Sequence, residues 1–200
     1  SALDPEKIVR RMASLTQGML RDTRDGLVER DQKILSLVSE RDDEVDRLYF
    51  LLVRAIRTAT IDPIVAERYH LAPVECLDYR VLASFLESLG DTIAELSKRV
   101  VGELPPKEIG EKFAPMFTKL EEMEGLAIRS FLSRRMAQVH GTYVQLEAME
   151  KEILTFSSSM AQKEGISPKM MVDLLSLVER ISKIYIDISD LSLPTYAFQR

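Results

Sequence analysis

Between residues 32 and 60 one apolar stripe runs without a break long enough to end a helix. Ile34, Val38, Val45, Leu48, Leu52, Ile56 and Ala59 return on a single face, and Arg41 is the only gap. At about 1.5 Å per residue this is a rod of roughly 40 Å. A rod with one apolar face must bury that face along its length, and other rods of similar length are the natural partners. The rest of the chain is built to supply them. Only eight Gly and eight Pro occur in 200 residues, so turn-forming material is scarce. Strand alternation and hairpin signatures are absent from the sequence. The fold class this predicts is all-α.

The helix limits follow from local signals. Asp4 precedes Pro5 at the start of a first helix, with Ile8, Met12, Leu15 and Met19 on one face. That pattern weakens around Gly18, Asp22 and Gly26, and an end near Glu29 is expected, with Asp31 capping the second helix. Ile61, Asp62 and Pro63 stop the second helix, since the residues before a proline are pushed out of the helical region. A linker with room for a helical turn follows, over 61–73. A third helix from Pro73 carries Leu77, Leu82, Phe85, Leu89, Ile93, Leu96 and Val100, and "GELPPK" ends it. A fourth, over 107–134, carries Phe113, Phe117, Leu120, Met123 and Ile128. A fifth spans about 136–162. A sixth, from about 168 to 193, carries Met171, Leu174, Leu175, Val178, Ile181, Ile188 and Leu191.

The two sets of three helices resemble each other. "FLESLGDTIAELS" at 85–97 lies over "LVERISKIYIDIS" at 177–189, and "GLVERDQKILSLV" at 26–38 lies more loosely over "SFLSRRMAQVHGT" at 130–142. A three-helix unit repeated after about 100 residues is a duplicated antiparallel bundle. The expected division is a first bundle over 1–103 and a second over 104–200, each burying its stripes internally and packing side by side.

Composition narrows the function. The formal net charge is −5, which disfavours nucleic-acid binding by this segment, and the pairs Arg10-Arg11, Lys98-Arg99 and Arg134-Arg135 are too small to reverse that. No apolar run approaches the ~18 residues of a membrane span, so no membrane insertion is expected. The N-terminus lacks the apolar segment of a signal peptide. Cys76 is the single cysteine, which leaves no internal disulfide and no thiolate cluster and fits a cytoplasmic setting. Only His70 and His140 are available, and "ERYH" at 67–70 is the single Glu-x-x-His, where a di-iron bundle needs two. No phosphate-cradling glycine loop or nucleophile elbow occurs. The chain does not read as an enzyme.

One run stands out. "ERDDEVD" at 40–46 places five carboxylates in seven residues of the second helix. At about 100° per residue Asp43 and Asp46 lie together, away from the core stripe. Glu87 and Asp91 are spaced i, i+4 on the third helix, nearly opposite its stripe, and Glu95 continues the row. If the two helices bring these acids together, the result is an all-oxygen site for Mg²⁺, Ca²⁺, Mn²⁺ or iron. If not, they form a solvated polar face with Arg80 and Lys98 as counter-charges.

In their order and separation, "LVSERDDEVDRLYFLLVRAI" and "FLESLGDTIAELSKRV" resemble the PhoU family of phosphate-uptake regulators, and "ERDDEVDRLY" is similar to the archaeal members. The resemblance covers about residues 20–103 and, more weakly, 107–193, where "AIRSFLSR" and "VERISKIYIDISDLSL" are its best parts. It implies two three-helix bundles related by a pseudo-two-fold. It implies a non-catalytic regulator whose partners are the ATPase of the phosphate ABC transporter or a sensor kinase. It also implies metal binding at Glu/Asp-x-x-x-Asp motifs, here Asp42 with Asp46, Asp43 beside them, and Glu87 with Asp91. The ion would be a divalent metal or iron. The second repeat departs from the motif: Lys183 stands where Asp91 would recur, and Glu147 and Glu150 lie near Lys151. Weak or no metal binding is expected there.

Archaeal relatives often carry an AbrB-like DNA-binding domain ahead of the bundles. This chain has no strand-rich segment and opens on Ser1, so such a domain upstream is left open. The alternative function is a helical interaction scaffold, or the effector part of a transcription regulator, with no metal site. The oligomeric state is open as well, a homodimer included.

Overall fold

The computed structural model describes residues 4–133 and 136–192, with residues 136–139 described by their backbone alone. The Arg134-Arg135 pair and the expected end of the last helix at 193 lie outside the described residues. Seven helices are present among them: α1 Pro5–Glu29, α2 Gln32–Ile61, α3 Pro63–Tyr69, α4 Pro73–Gly102, α5 Lys107–Ser133, α6 Met136–Met160 and α7 Pro168–Asp190. Six are long. The seventh, α3, occupies the linker read at 61–73.

The ends obey local chemistry. The Asp4 side chain accepts from the backbone N–H groups of Glu6 and Lys7, and Asp31 accepts from those of Lys33 and Ile34. Asp62 serves twice: its backbone closes α2, and its carboxylate accepts from the N–H groups of Ile64 and Val65 to open α3. Pro at the first position of α1, α3, α4 and α7 costs no hydrogen bond, because the first N–H groups of a helix have no partner within it. His70 closes α3 in the left-handed region with φ 54°. Its backbone role explains the isolated "ERYH" without a metal.

α1, α2 and α4 pack on one another, and so do α5, α6 and α7. Across the seam α1 packs on α5 about as extensively as on α2, and α4 packs on α7. Helices at corresponding places in the two halves thus meet each other, as a two-fold between the halves requires. The buried apolar residues form one continuous cluster through both halves, not two separate cores. Gly110 shows how closely the seam closes: a Cβ there would stand 2.7 Å from the carbonyl oxygen of Leu27.

The stripes are mostly those read from the sequence, with three shifts. Leu35 is buried where Ile34 was expected, and Leu86 where Phe85 was; Ile34 and Phe85 are half-buried. Leu77 is 68 % exposed. The weakening of the α1 stripe has a structural cause. Gly18 leaves room for the Arg41 guanidinium, whose Nη1 lies 2.9 Å from a would-be Cβ, and Arg41 bonds Asp22 at 2.8 Å. Gly26 lets Leu35 pack against α1, 2.6 Å from its own would-be Cβ. The gap in one stripe and the soft part of the other are a single contact between α1 and α2.

Candidate metal site

α2 and α4 run antiparallel, and where they cross, side-chain oxygens of Asp42, Asp46 and Asp91 lie within 4.8 Å of one another. The close approach depends on Gly90. A Cβ at this position would meet Asp42 Oδ1 at 2.8 Å and Val45 Cγ1 at 3.1 Å. Glycine in "ESLGD" therefore lets the α4 backbone sit directly over the acids of α2.

The electrostatics are those of crowded like charges. Asp42 is half-buried, and its carboxyl is pushed up to about 6 by burial first, then by the charges of Asp91, Asp46 and Asp43, with Lys98 opposing. Asp46 is raised by burial, then by Asp91 and Asp43. Glu87 is raised by burial, then by Asp91 and Asp46. Asp42 Oδ1 is buried and has no hydrogen-bond partner among the described residues. An acceptor left unpaired beside other carboxylates is a position that a cation completes, and the donor set is all oxygen, as hard cations require. Oxygens ~2.0–2.6 Å from one ion lie up to about 5 Å apart, which the 4.8 Å cluster meets.

Of the five acids singled out in the sequence, three converge. Asp43, which the helical wheel pairs with Asp46, is exposed and outside the group of three; Glu87 sits near enough to feel Asp91 and Asp46 without joining it. Arg80 is no counter-charge to the cluster. Its guanidinium lies 5.5 Å from the centre of the Tyr49 ring and donates to the Tyr49 hydroxyl at 3.2 Å and to Ser84 Oγ at 2.7 Å. Lys98 is the cation that acts on Asp42.

The counterpart surface between α6 and α7 has a different chemistry. Lys183 pairs with Asp187 at 3.6 Å. Its charge draws down Asp190, which burial, Asp187 and Glu147 raise. The Lys183 ammonium stands among the acids of this surface.

A further functional group was not read from the sequence. Glu124 on α5 is fully buried at the seam, with its Oε1 2.5 Å from Thr16 Oγ1 of α1 and its Oε2 accepting from the Tyr185 hydroxyl of α7 at 3.1 Å. Its spacing from Leu120 and Ile128, four residues to either side, was the available signal, because it puts Glu124 on the core face.

Two packed three-helix sets with a carboxylate cluster at a helix crossing define an all-helical bundle protein. Residues 9–100 match the family model of the PhoU domain. The first half of the chain is thus a PhoU domain. Among solved structures it is similar to the crystal structure of PhoU from Pseudomonas aeruginosa, with a TM-score of 0.71 and 16% identity over 94% of this chain and 93% of that one. At that identity the likeness is one of fold. No curated protein matches the sequence. The PhoU domain supports a role in the regulation of phosphate uptake in general terms. Among the described residues, no helix is long and apolar enough to cross a membrane.

Proposed function

We propose that the chain is a non-catalytic regulator of phosphate uptake, acting on the cytoplasmic side as an adaptor for the phosphate transporter ATPase or a signalling kinase, with a cation held at the α2–α4 crossing. The observation that carries the metal reading is the convergence of Asp42, Asp46 and Asp91 on one point, with Asp42 Oδ1 left unpartnered there. These three would supply the ligands, and Asp43 and Glu87 the surrounding negative charge. A bound divalent metal or iron would neutralise the repulsion that raises Asp42 and would fix α2 against α4. Residues 1–103 form the metal-binding repeat in this reading, and 104–200 a diverged repeat in which Lys183 replaces the ion and the surface serves packing or partner contact.

Metal content of protein purified without chelator, compared with Asp46→Ala and Asp91→Ala, tests the site. Loss of metal in both variants is expected; equal content in all three would remove it. A second reading, a helical scaffold whose acids are a solvated face, draws on the exposure of Asp91 and the nearby charge of Lys98. The same measurement separates the two. Co-purification with the transporter ATPase tests the adaptor role independently of metal.

A further inference from the structure

A cleft of about 700 Å³ opens where α1 of the first half meets α5 and α6 of the second. Its polar lining is Arg10 from α1, Arg129, Ser130 and Ser133 from α5, and Thr142 and Gln145 from α6. That is two guanidinia, three hydroxyls and a carboxamide, with no carboxylate, in a chain where acids outnumber bases 32 to 27. All six can donate hydrogen bonds, and guanidinium can only donate.

The two arginines differ. Arg10 is held by Glu6 at 2.7 Å, so its charge is partly answered. Arg129 has no ion-pair partner among the described residues. Its guanidinium folds over Gly125, Nη1 lying 3.0 Å from a would-be Cβ there. Glu121 and Glu122 line the neighbouring cleft on the other side of Arg129, and Glu121 is taken by Arg24 at 2.9 Å and Arg21 at 3.2 Å. Ser130 is 3 % exposed, and its hydroxyl has no hydrogen-bond partner among the described residues. A mid-helix serine usually bonds a carbonyl one turn back; Ser133 does this, to Ser130 O at 3.2 Å, and Ser130 does not.

We infer that this cleft binds a tetrahedral oxyanion, either inorganic phosphate or the phosphate group of a small ester. Arg129 supplies the charged fork, and the hydroxyls of Ser130 and Thr142 supply neutral donors. A guanidinium fork with added hydroxyl donors matches the several acceptor oxygens of a phosphate group. Because Arg10 comes from the first half and the other groups from the second, the anion bridges the two halves. The cleft shares no residue with the acid cluster of α2 and α4, so it stands whether or not metal binds there.

Isothermal titration of inorganic phosphate into the full chain, in phosphate-free buffer with chloride fixing the ionic strength, tests this. A parallel titration uses adenosine monophosphate. Saturable binding of either is expected, weakened about tenfold or more by Arg129→Gln, because a charged hydrogen bond is lost. The exposed position of Arg129 lets that variant fold, and Ser130→Ala gives a second, smaller loss. Arg57→Gln, which removes an exposed arginine of α2 outside the cleft, should leave the affinity unchanged. Preference for the ester assigns the source to a phosphorylated metabolite; equal affinities assign it to the phosphate group alone. No saturation by either ligand, or binding indifferent to Arg129→Gln, overturns the proposal.

Discussion

Glu124→Gln should abolish most of the pH dependence of stability between pH 5 and pH 8. The Thr16 hydroxyl lies 3.1 Å from the carbonyl oxygens of both Met12 and Ala13 and closer still to Glu124 Oε1. Thr16 Oγ1, at 2.5 Å, and the Tyr185 hydroxyl, at 3.1 Å, both donate to the Glu124 carboxyl. Burial, not these bonds, is what holds the carboxyl neutral at pH 7 in the folded protein. Burial pushes its carboxyl from 4.5 to about 8, against the lowering effect of those two hydrogen bonds and with a further rise from Glu121. Facing the group are Thr16 from α1 and Tyr185 from α7, with Glu121 on its own helix held by Arg21 and Arg24 of α1. The sign follows directly. Between the two pKa values the unfolded chain has released a proton that the folded chain keeps, so stability falls as pH rises through that window and levels above about 8. One proton is worth about 1.4 kcal/mol per pH unit, which makes the whole fall at most about 5 kcal/mol and the part above pH 5 at most about 4. Glutamine keeps the shape and both hydrogen bonds but cannot ionise. Urea unfolding of both proteins at pH 5, 6, 7 and 8 should give near-equal stabilities at pH 5 and a widening advantage for Glu124→Gln above it. A difference between the two that does not change with pH would refute the neutral-acid assignment.

Gly90→Ala drives a Cβ toward Asp42 Oδ1 and Val45; metal content should fall without removal of any carboxylate, and thermal stability should drop by ~1–3 kcal/mol, read by calorimetry. Metal affinity should weaken as pH falls through about 6, where the carboxyl of the free Asp42 takes up a proton that competes with the cation; titration with a metal-sensitive dye follows the affinity, and an affinity indifferent to pH between 7 and 5 would contradict the role of Asp42. Ser97→Ala removes the buried bond by which Ser97 Oγ donates to Leu35 O at 2.7 Å across α2 and α4, at a cost of roughly 1 kcal/mol in urea unfolding.

The helix limits were legible because each is written locally. Asp4 and Asp31 each stand one residue before a helix start and bond its first N–H groups, so no distant residue needed to be known. Which of two adjacent apolar residues faces inward was less so: Leu35 over Ile34 and Leu86 over Phe85 depend on how neighbouring helices cross. The convergence of Asp42, Asp46 and Asp91 depends on the register of α2 against α4, which Gly90 helps set and which spacing along either helix cannot show. Glu124 was hidden for another reason. A charge in a core stripe reads as a solvated position until its partners are known, and Thr16 and Tyr185 lie 108 and 61 residues away.

The sharing of α1 between the two halves has a mechanical consequence. A protein of two bundles on a flexible tether can answer a signal in one half while the other stays unaffected. Here one rod is a wall of both compartments, packed on α2 and α5 alike, with the apolar interior continuous around it. A displacement of α1 in one half therefore meets the α5 surface of the other directly, side chain against side chain.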